Sequence, residues 1–277
     1  LRKSNWQITV VLRNGAHIVA VIPGLKTRIL GVAVDIGSTT LSAQICDMNS
    51  GEVLAVTGMM NPQIRFGEDL MSRVSYGFLN EGGVVELTRS VQNSLQQLIE
   101  KAVEQKNLNI EDIFEVVLVG NPVMHHLLLG IDPIELGGAP FALTLDTAFN
   151  CFAKEVGLNL NQATRMYFLP CIAGHVGADA AGVVLAEEPH HSDEITLLID
   201  VGTNAEIILG NRHHLMAASS PTGPAFEGAQ IFAGQRAAVG AIERVRINPN
   251  NYEPSYKVIG SDNWSNTSKF QEEIKTI

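Results

Sequence analysis

The chain is poor in cysteine. Three occur in 277 residues, Cys46, Cys151 and Cys171, odd in number and far apart. That spacing excludes a disulfide framework and a CxxC-type metal site, so they read as reduced core thiols of a cytoplasmic protein. Positive charge is scarce too: 19 Lys and Arg stand against 29 Asp and Glu, for a net charge of −10. This argues against nucleic acid as a partner and favours solubility. No apolar run reaches transmembrane length, and residues 1–3 do not open a signal peptide, because residues 6–10 alternate like a strand. No membrane partner is expected. The HExxH zinc pattern is also missing. The His pairs 125/126, 190/191 and 213/214 are adjacent residues, which do not share a helix face. One of His125 and His126 is expected to be buried near a cleft.

The composition that remains is globular, 45% hydrophobic and 17% charged. Its length suggests about two domains. The strongest signal is a repeated strand–turn signature. The apolar run 29–34 delivers Asp35-Ile36-Gly37-Ser38-Thr39-Thr40, and the run 195–199 delivers Asp200-Val201-Gly202-Thr203-Asn204. An alternating segment returns each time, over 41–46 and 205–209. Gly lets backbone amides approach phosphate oxygens. Ser and Thr add hydroxyl donors. An Asp holds Mg²⁺ that keeps most of its waters.

Two such hairpins suit a two-lobed clamp on a nucleotide and Mg²⁺. Asp35 and Asp200 are the candidate metal carboxylates, expected to face each other across one cleft. With Asp179 they are the candidate catalytic residues. Gly37, Ser38, Thr39, Gly202, Thr203 and Asn204 are the nucleotide-binding candidates. Gly223 and Gly228 flank a Gly/Pro loop, 219–228, for which contact with ribose or phosphate and a packing role are the two readings. Asp179 follows two glycines near a helix start, where it would orient attacking water or serve as the N-cap. Ordinary Asx-turn and hairpin chemistry is the competing reading of the two turns.

Along the chain, residues 6–22 read as two strands around Arg13-Asn14-Gly15. Strands over 29–46 and 52–57 make three antiparallel strands before helices, the start of a ribonuclease-H-like half. Leu87, Val91, Leu95, Leu98 and Ala102 share one face of a helix over 84–105. A parallel-type strand over 116–119 and a helix from 124 follow. Residues 130–150 read as loop, 180–186 as helix, 240–245 as a short element. Residues 261–277 are polar, without a clear strand.

These strings resemble a known family, the reductive activators of corrinoid proteins, in their actin-like ATPase part. The matching residues are Asp35-Ile36-Gly37-Ser38-Thr39-Thr40, Asn61-Pro62-Gln63 with Gly67-Glu68-Asp69, and Gly120-Asn121 with Met124-His125-His126. They continue with Val176-Gly177-Ala178-Asp179, Ile199-Asp200-Val201-Gly202-Thr203-Asn204-Ala205-Glu206 and Gly223-Pro224-Ala225-Phe226-Glu227-Gly228. Arg236-Ala237-Ala238 and Gly240-Ala241-Ile242-Glu243 complete them. Ser38 stands where the family often has Thr, and Gln235 where it often has Met.

The resemblance implies an α/β fold of duplicated ribonuclease-H-like halves in the acetate kinase, sugar kinase, heat-shock chaperone and actin superfamily. It implies an end of an upstream linking domain over 1–28, a first half over 29–187 and the start of a truncated second half over 188–277. It implies ATP-dependent return of Co(II) to Co(I) in a corrinoid protein of a methyl-transfer system, by electron transfer from a [2Fe-2S] domain expected upstream of these residues. A homodimer is left open. Two other readings stay open: an activator of a 2-hydroxyacyl-CoA dehydratase or small-molecule kinase of the same superfamily, and a non-catalytic module that docks the corrinoid protein.

Overall fold

A computed structural model describes residues 2–67, 69–222 and 239–275. The chain divides into two compact units, Leu1–Leu198 with Glu206–Ser219, and Ile199–Ala205 with Ser220–Ile277.

In the first unit the strands β1 (Ile8–Arg13) and β2 (His17–Pro23) form an antiparallel hairpin whose turn carries Asn14 and Gly15 at positive φ. Arg13 pairs with Glu115 at 3.0 Å, and Lys26 with Asp112 at 2.7 Å, tying this small piece to the rest of the unit. Next come β3 (Leu30–Ile36), β4 (Thr40–Asp47) and β5 (Val53–Met60), antiparallel neighbours as their alternation implied. Two helices follow, α1 (Leu70–Leu79) and α2 (Gly83–Gln105). Then come β6 (Ile113–Gly120), α3 (Pro122–Leu128), β7 (Phe149–Phe152), β8 (Arg165–Phe168) and α4 (Ala178–Glu187).

The main sheet runs β5-β4-β3-β6-β8-β7, with β6 parallel to both β3 and β8. Helices on both faces explain why β6 is apolar from Val116 to Val119. Val116 and Leu118 join the cluster that contains Leu87, Val91, Leu95 and Leu98 of α2. Val117 and Val119 pack instead with Ala178 and Ala181 of α4.

Strands β9 (Thr196–Val201), β10 (Asn204–Asn211) and β11 (His214–Pro221) lie side by side in the order β11-β10-β9. Ile208 of β10 packs on Val176 and Ala180 at the start of α4. In the second unit β12 (Ile242–Ile247) and β13 (Pro254–Val258) form a hairpin, and α5 (Ser268–Glu273) seats Phe270 edge-on to Tyr256. The fold is of the α/β class that the sequence implied.

Four segments differ from their sequence reading. The loop expected over 130–150 ends in strand β7, whose four residues pair with β8. Of the Gly/Pro loop expected over 219–228, residues 219–221 belong to β11, and residues 223–228 lie outside the described residues. The polar stretch 261–277 contains α5, started by the Thr267 side chain, which accepts from the Phe270 N–H. The helix expected from 180 starts at Ala178.

Candidate functional site

Parallel strands of an open sheet end where loops can gather a ligand. In the first unit, Ile36 of β3 pairs with Gly120 of β6 at that end. A Cβ on Gly120 would lie 2.8 Å from the Ile36 carbonyl oxygen. One on Gly177 would lie 2.6 Å from Asn121 Cα, from the Gly120 oxygen and from Asp179 Oδ1. Two glycines therefore let three backbone segments meet. They bring the turn after β3, the Asn121 cap of α3 and the start of α4 to one edge.

Asp35 lies on the exposed side of β3, next to last in the strand. Gly37, Ser38 and Thr39 form the half-buried turn into β4. A side chain at Gly37 would place its Cβ 2.5 Å from the Thr40 oxygen, so glycine is required for the close turn. All three turn carbonyls are held from behind. Asn61 donates its side-chain N–H to the Gly37 oxygen at 2.9 Å, and its backbone N–H to the Thr39 oxygen at 2.8 Å. Arg73 donates to the Ser38 oxygen through Nη2.

Arg73 is fully buried. Its Nε donates to the Gly67 oxygen at 3.1 Å, and its Nη1 reaches Gln63 Oε1 at 3.4 Å and Met124 Sδ at 3.3 Å. Gln63 in turn donates to the Leu87 carbonyl of α2 at 2.7 Å. The Asn61-Pro62 step starts a short 3₁₀ turn whose cap is Asn61, with Oδ1 accepting from the Gln63 N–H. Asp69 caps α1 and so presents Arg73 inward from its first turns. None of Asn61, Gln63 or Arg73 had a role in the sequence reading. The Asn-Pro pair was its available signal, since Pro suits the first position after a cap.

Asp179 is not the N-cap of α4. Gly177 holds that position, and Asp179 sits in the first turn, where its Oδ1 accepts from the Ala180 N–H at 2.8 Å. A carboxylate there is stabilised by the positive end of the helix.

Both His125 and His126 are buried, because every residue of the short helix α3 is covered. His126 Nδ1 lies 2.8 Å from the Pro122 oxygen, and its Nε2 accepts from the Thr144 N–H at 3.2 Å. This fixes the proton on Nδ1. Burial holds the His126 pKa below the ordinary histidine value against the opposing Pro122 bond. His125 has no hydrogen-bond partner for either ring nitrogen among the described residues. It stands edge-on to Phe168 at 5.4 Å. Burial, with a smaller push from His126, drives its pKa down to about 4.

The second turn belongs to the second unit. Asp200 is half-buried near the end of β9, and Gly202, Thr203 and Asn204 are half-buried. The Gly202 N–H donates to the Asn204 oxygen at 2.8 Å. The Thr222 hydroxyl lies 2.6 Å from the Gly202 oxygen and 3.0 Å from the Thr203 oxygen. Here too the turn carbonyls are occupied. Gly223 and Gly228 lie outside the described residues. Among the described residues no three His, Cys, Asp or Glu side chains group to hold a metal, and no helix is long and apolar enough to cross a membrane. Cys151 and Cys171 are buried, while Cys46 is half-buried rather than in the core.

Residues 30–192 match the family model described as RACo middle region, and residues 194–274 the model described as the C-terminal domain of RACo, the ASKHA domain. The chain is 34% identical over 252 residues to the corrinoid activation enzyme RamQ of Eubacterium limosum, covering 90% of this chain and 42% of that protein. It is 23% identical over 230 residues to the [Co(II) methylated amine-specific corrinoid protein] reductase of Methanosarcina barkeri, covering 76% and 40%. A solved structure, titled a reductive activator for corrinoid, iron-sulfur protein, superposes with a TM-score of 0.82 at 35% identity, over 94% of this chain and 42% of that one. The chain thus spans about two-fifths of the length of these relatives.

Proposed function

We propose, from the premise that this chain belongs to the RACo family, that it is the nucleotide-binding part of a protein that reductively activates a corrinoid protein. In that reading Co(II) takes up one electron to become Co(I), and ATP bound by these residues drives the uphill step. The observation that carries the nucleotide half of the reading is the turn Gly37–Ser38–Thr39. Its carbonyls are all held on the inner side, and Asp35 stands exposed beside it.

Mg²⁺ fits such residues. It needs only one or two carboxylates, with water and phosphate oxygens completing its shell. Asp35 and Asp200 would hold it, and when bound it would neutralise phosphate charge. Gly37, Ser38, Thr39, Gly202, Thr203 and Asn204 would cradle the phosphates by backbone and hydroxyl donors. Catalysis of this kind is mostly positioning and electrostatics. Asp179 would orient the attacking water. Gly223 and Gly228 would border the ribose.

An iron–sulfur cluster does not fit these residues. A [2Fe-2S] centre takes four Cys, or two Cys and two His, gathered at one place; the sequence has three cysteines, and among the described residues no three His, Cys, Asp or Glu side chains group together. Burial pushes the thiols of Cys151 and Cys171 up to about 11 and 12. No electron-transfer step is assigned to side chains of this chain. In the reading the electron comes from a [2Fe-2S] domain elsewhere in the full-length protein. A corrinoid protein of a methyl-transfer system is the partner, and two nucleotide states would differ in affinity for it.

The test is calorimetry of Mg-ATP with the full-length protein. Asp35→Ala and Asp200→Ala should each weaken binding by about 1.5–3 kcal/mol, the worth of one charge-assisted contact, or about ten- to a hundredfold. Unchanged affinity in both variants would remove the metal role of the two carboxylates.

A further inference from the structure

We infer that Asn61 and Arg73 are positioning residues for the phosphates of the nucleotide, acting through the turn carbonyls rather than by touching the ligand. The inference rests on the nucleotide reading above. Its basis is the pair of buried side chains behind the turn: Asn61 is 1% exposed and Arg73 0%. Between them they occupy the oxygens of Gly37, Ser38 and Thr39.

A trans peptide is planar, so a carbonyl and the N–H that follows it point in opposite directions. Holding the Gly37 and Ser38 oxygens inward turns the Ser38 and Thr39 amides outward. Successive amides presented this way form a concave anion site. A turn free to rotate either peptide would present a carbonyl oxygen to the phosphate and repel it. Glycine at 37 makes that rotation easy, because its backbone has the widest conformational range. The clamp is what restores a single orientation.

Arg73 suits this task in a way Lys would not. Its planar fork directs donors in three directions at once, to Ser38, to Gly67 and to Gln63. Gln63 carries the link on to the Leu87 carbonyl of α2. The turn is thereby referenced to the longest helix of the unit, not to a neighbouring loop. The same pattern on the second turn is simpler, with Thr222 alone against the Gly202 and Thr203 oxygens.

The experiment compares Mg-ATP and adenosine binding to the full-length protein. The variants are Asn61→Ser, Arg73→Lys and Arg73→Gln. Asn61→Ser keeps a side-chain oxygen to cap Gln63 and takes away the amide N–H that reaches the Gly37 oxygen, because its hydroxyl sits one bond nearer the backbone. Arg73→Lys keeps the charge and removes the fork. Each variant should lose about tenfold or more in Mg-ATP affinity, the worth of one hydrogen bond to a charged group, while adenosine affinity stays within about twofold. A general packing defect would lower both together. Equal loss of both ligands, or no loss of either, overturns the inference and leaves the nucleotide reading of the wild-type protein standing. Wild-type protein that fails to bind Mg-ATP overturns the nucleotide reading and this inference with it. If thermal unfolding shows that the Arg73 variants do not fold, Asn61→Ser decides alone.

Discussion

His125 should make the protein acid-labile, and by a calculable amount. The ring is 3% exposed, and neither nitrogen has a partner among the described residues. Its pKa falls from the ordinary 6.5 to about 4 in the folded chain, chiefly through burial. Above pH 6.5 the ring is neutral whether the chain is folded or not, and stability does not depend on it. Between 6.5 and about 4 the unfolded chain binds a proton that the folded chain refuses, so stability falls as pH falls. Below about 4 both states are protonated and the loss levels off. The gap of about 2.5 pH units at about 1.4 kcal/mol each gives a total of about 3.5 kcal/mol, of which about 2 is lost by pH 5.

His125→Leu, close in volume, removes this loss. It also removes a buried donor and acceptor that each cost about 1–3 kcal/mol unsatisfied. Urea unfolding of wild type and variant at pH 7.5 and 5 gives the comparison. The variant should be at least as stable at pH 7.5, and should lose about 2 kcal/mol less on acidification. The His126 pKa is lowered too, so some acid sensitivity remains in both proteins and cancels in the difference. Parallel loss of stability in the two proteins would refute the account of His125.

Two further predictions concern thiols and glycine. Cys151 and Cys171 are buried with thiols pushed up to about 11 and 12, whereas Cys46 is half-buried. Of these three, an aromatic disulfide reagent at pH 8 should modify Cys46 rapidly in the native protein and Cys151 and Cys171 only after unfolding, because the thiolate is the reactive form. Rapid native modification of two or three thiols would contradict this. Gly120→Ala should destabilise the chain by about 1–3 kcal/mol, since its Cβ would meet backbone rather than a yielding side chain. An unchanged urea midpoint would show that the β3 and β6 ends can part without cost.

Much of the first unit was legible in the sequence. The hairpins of β3, β4 and β5 show period-two alternation punctuated by turn residues, and α2 repeats its apolar face five times. What escaped did so for physical reasons. Helix α1 blurs the usual pattern: it buries Arg73 beside Val74 and exposes Phe78 at 69% and Leu79 at 75%. A hydrophobic period is weak there. Strands β7 and β8 have four residues each, too few for alternation to stand out. Helix α5 is polar apart from Phe270, so its only local signal was the Thr267 cap. Adjacent His125 and His126 are both covered because α3 is enclosed on all sides, which a two-faced helix would not be.

The candidate site divides along the same line. The Asp-Gly-hydroxyl turns are local, so their residues could be named from spacing. Their supports are tertiary: Asn61 lies 24 positions from Gly37, and Arg73 lies 35 from Ser38. No spacing rule links them. Arg73 lies outside the short strings that carry the family resemblance, yet its partners and the turn's other neighbours lie within them: Asn61-Pro62-Gln63, Gly67, Gly120, Met124 and Gly177. Each of these touches the turn, touches what holds it, or lets a neighbouring backbone come close to it. Such strings are short because the contacts are backbone carbonyls, which one amide or one guanidinium can satisfy. They are scattered because a carbonyl on the inner side of a turn can be reached only by elements packed behind the sheet end. A substitution in any of them should therefore be judged first by what it does to the oxygens of Gly37, Ser38 and Thr39.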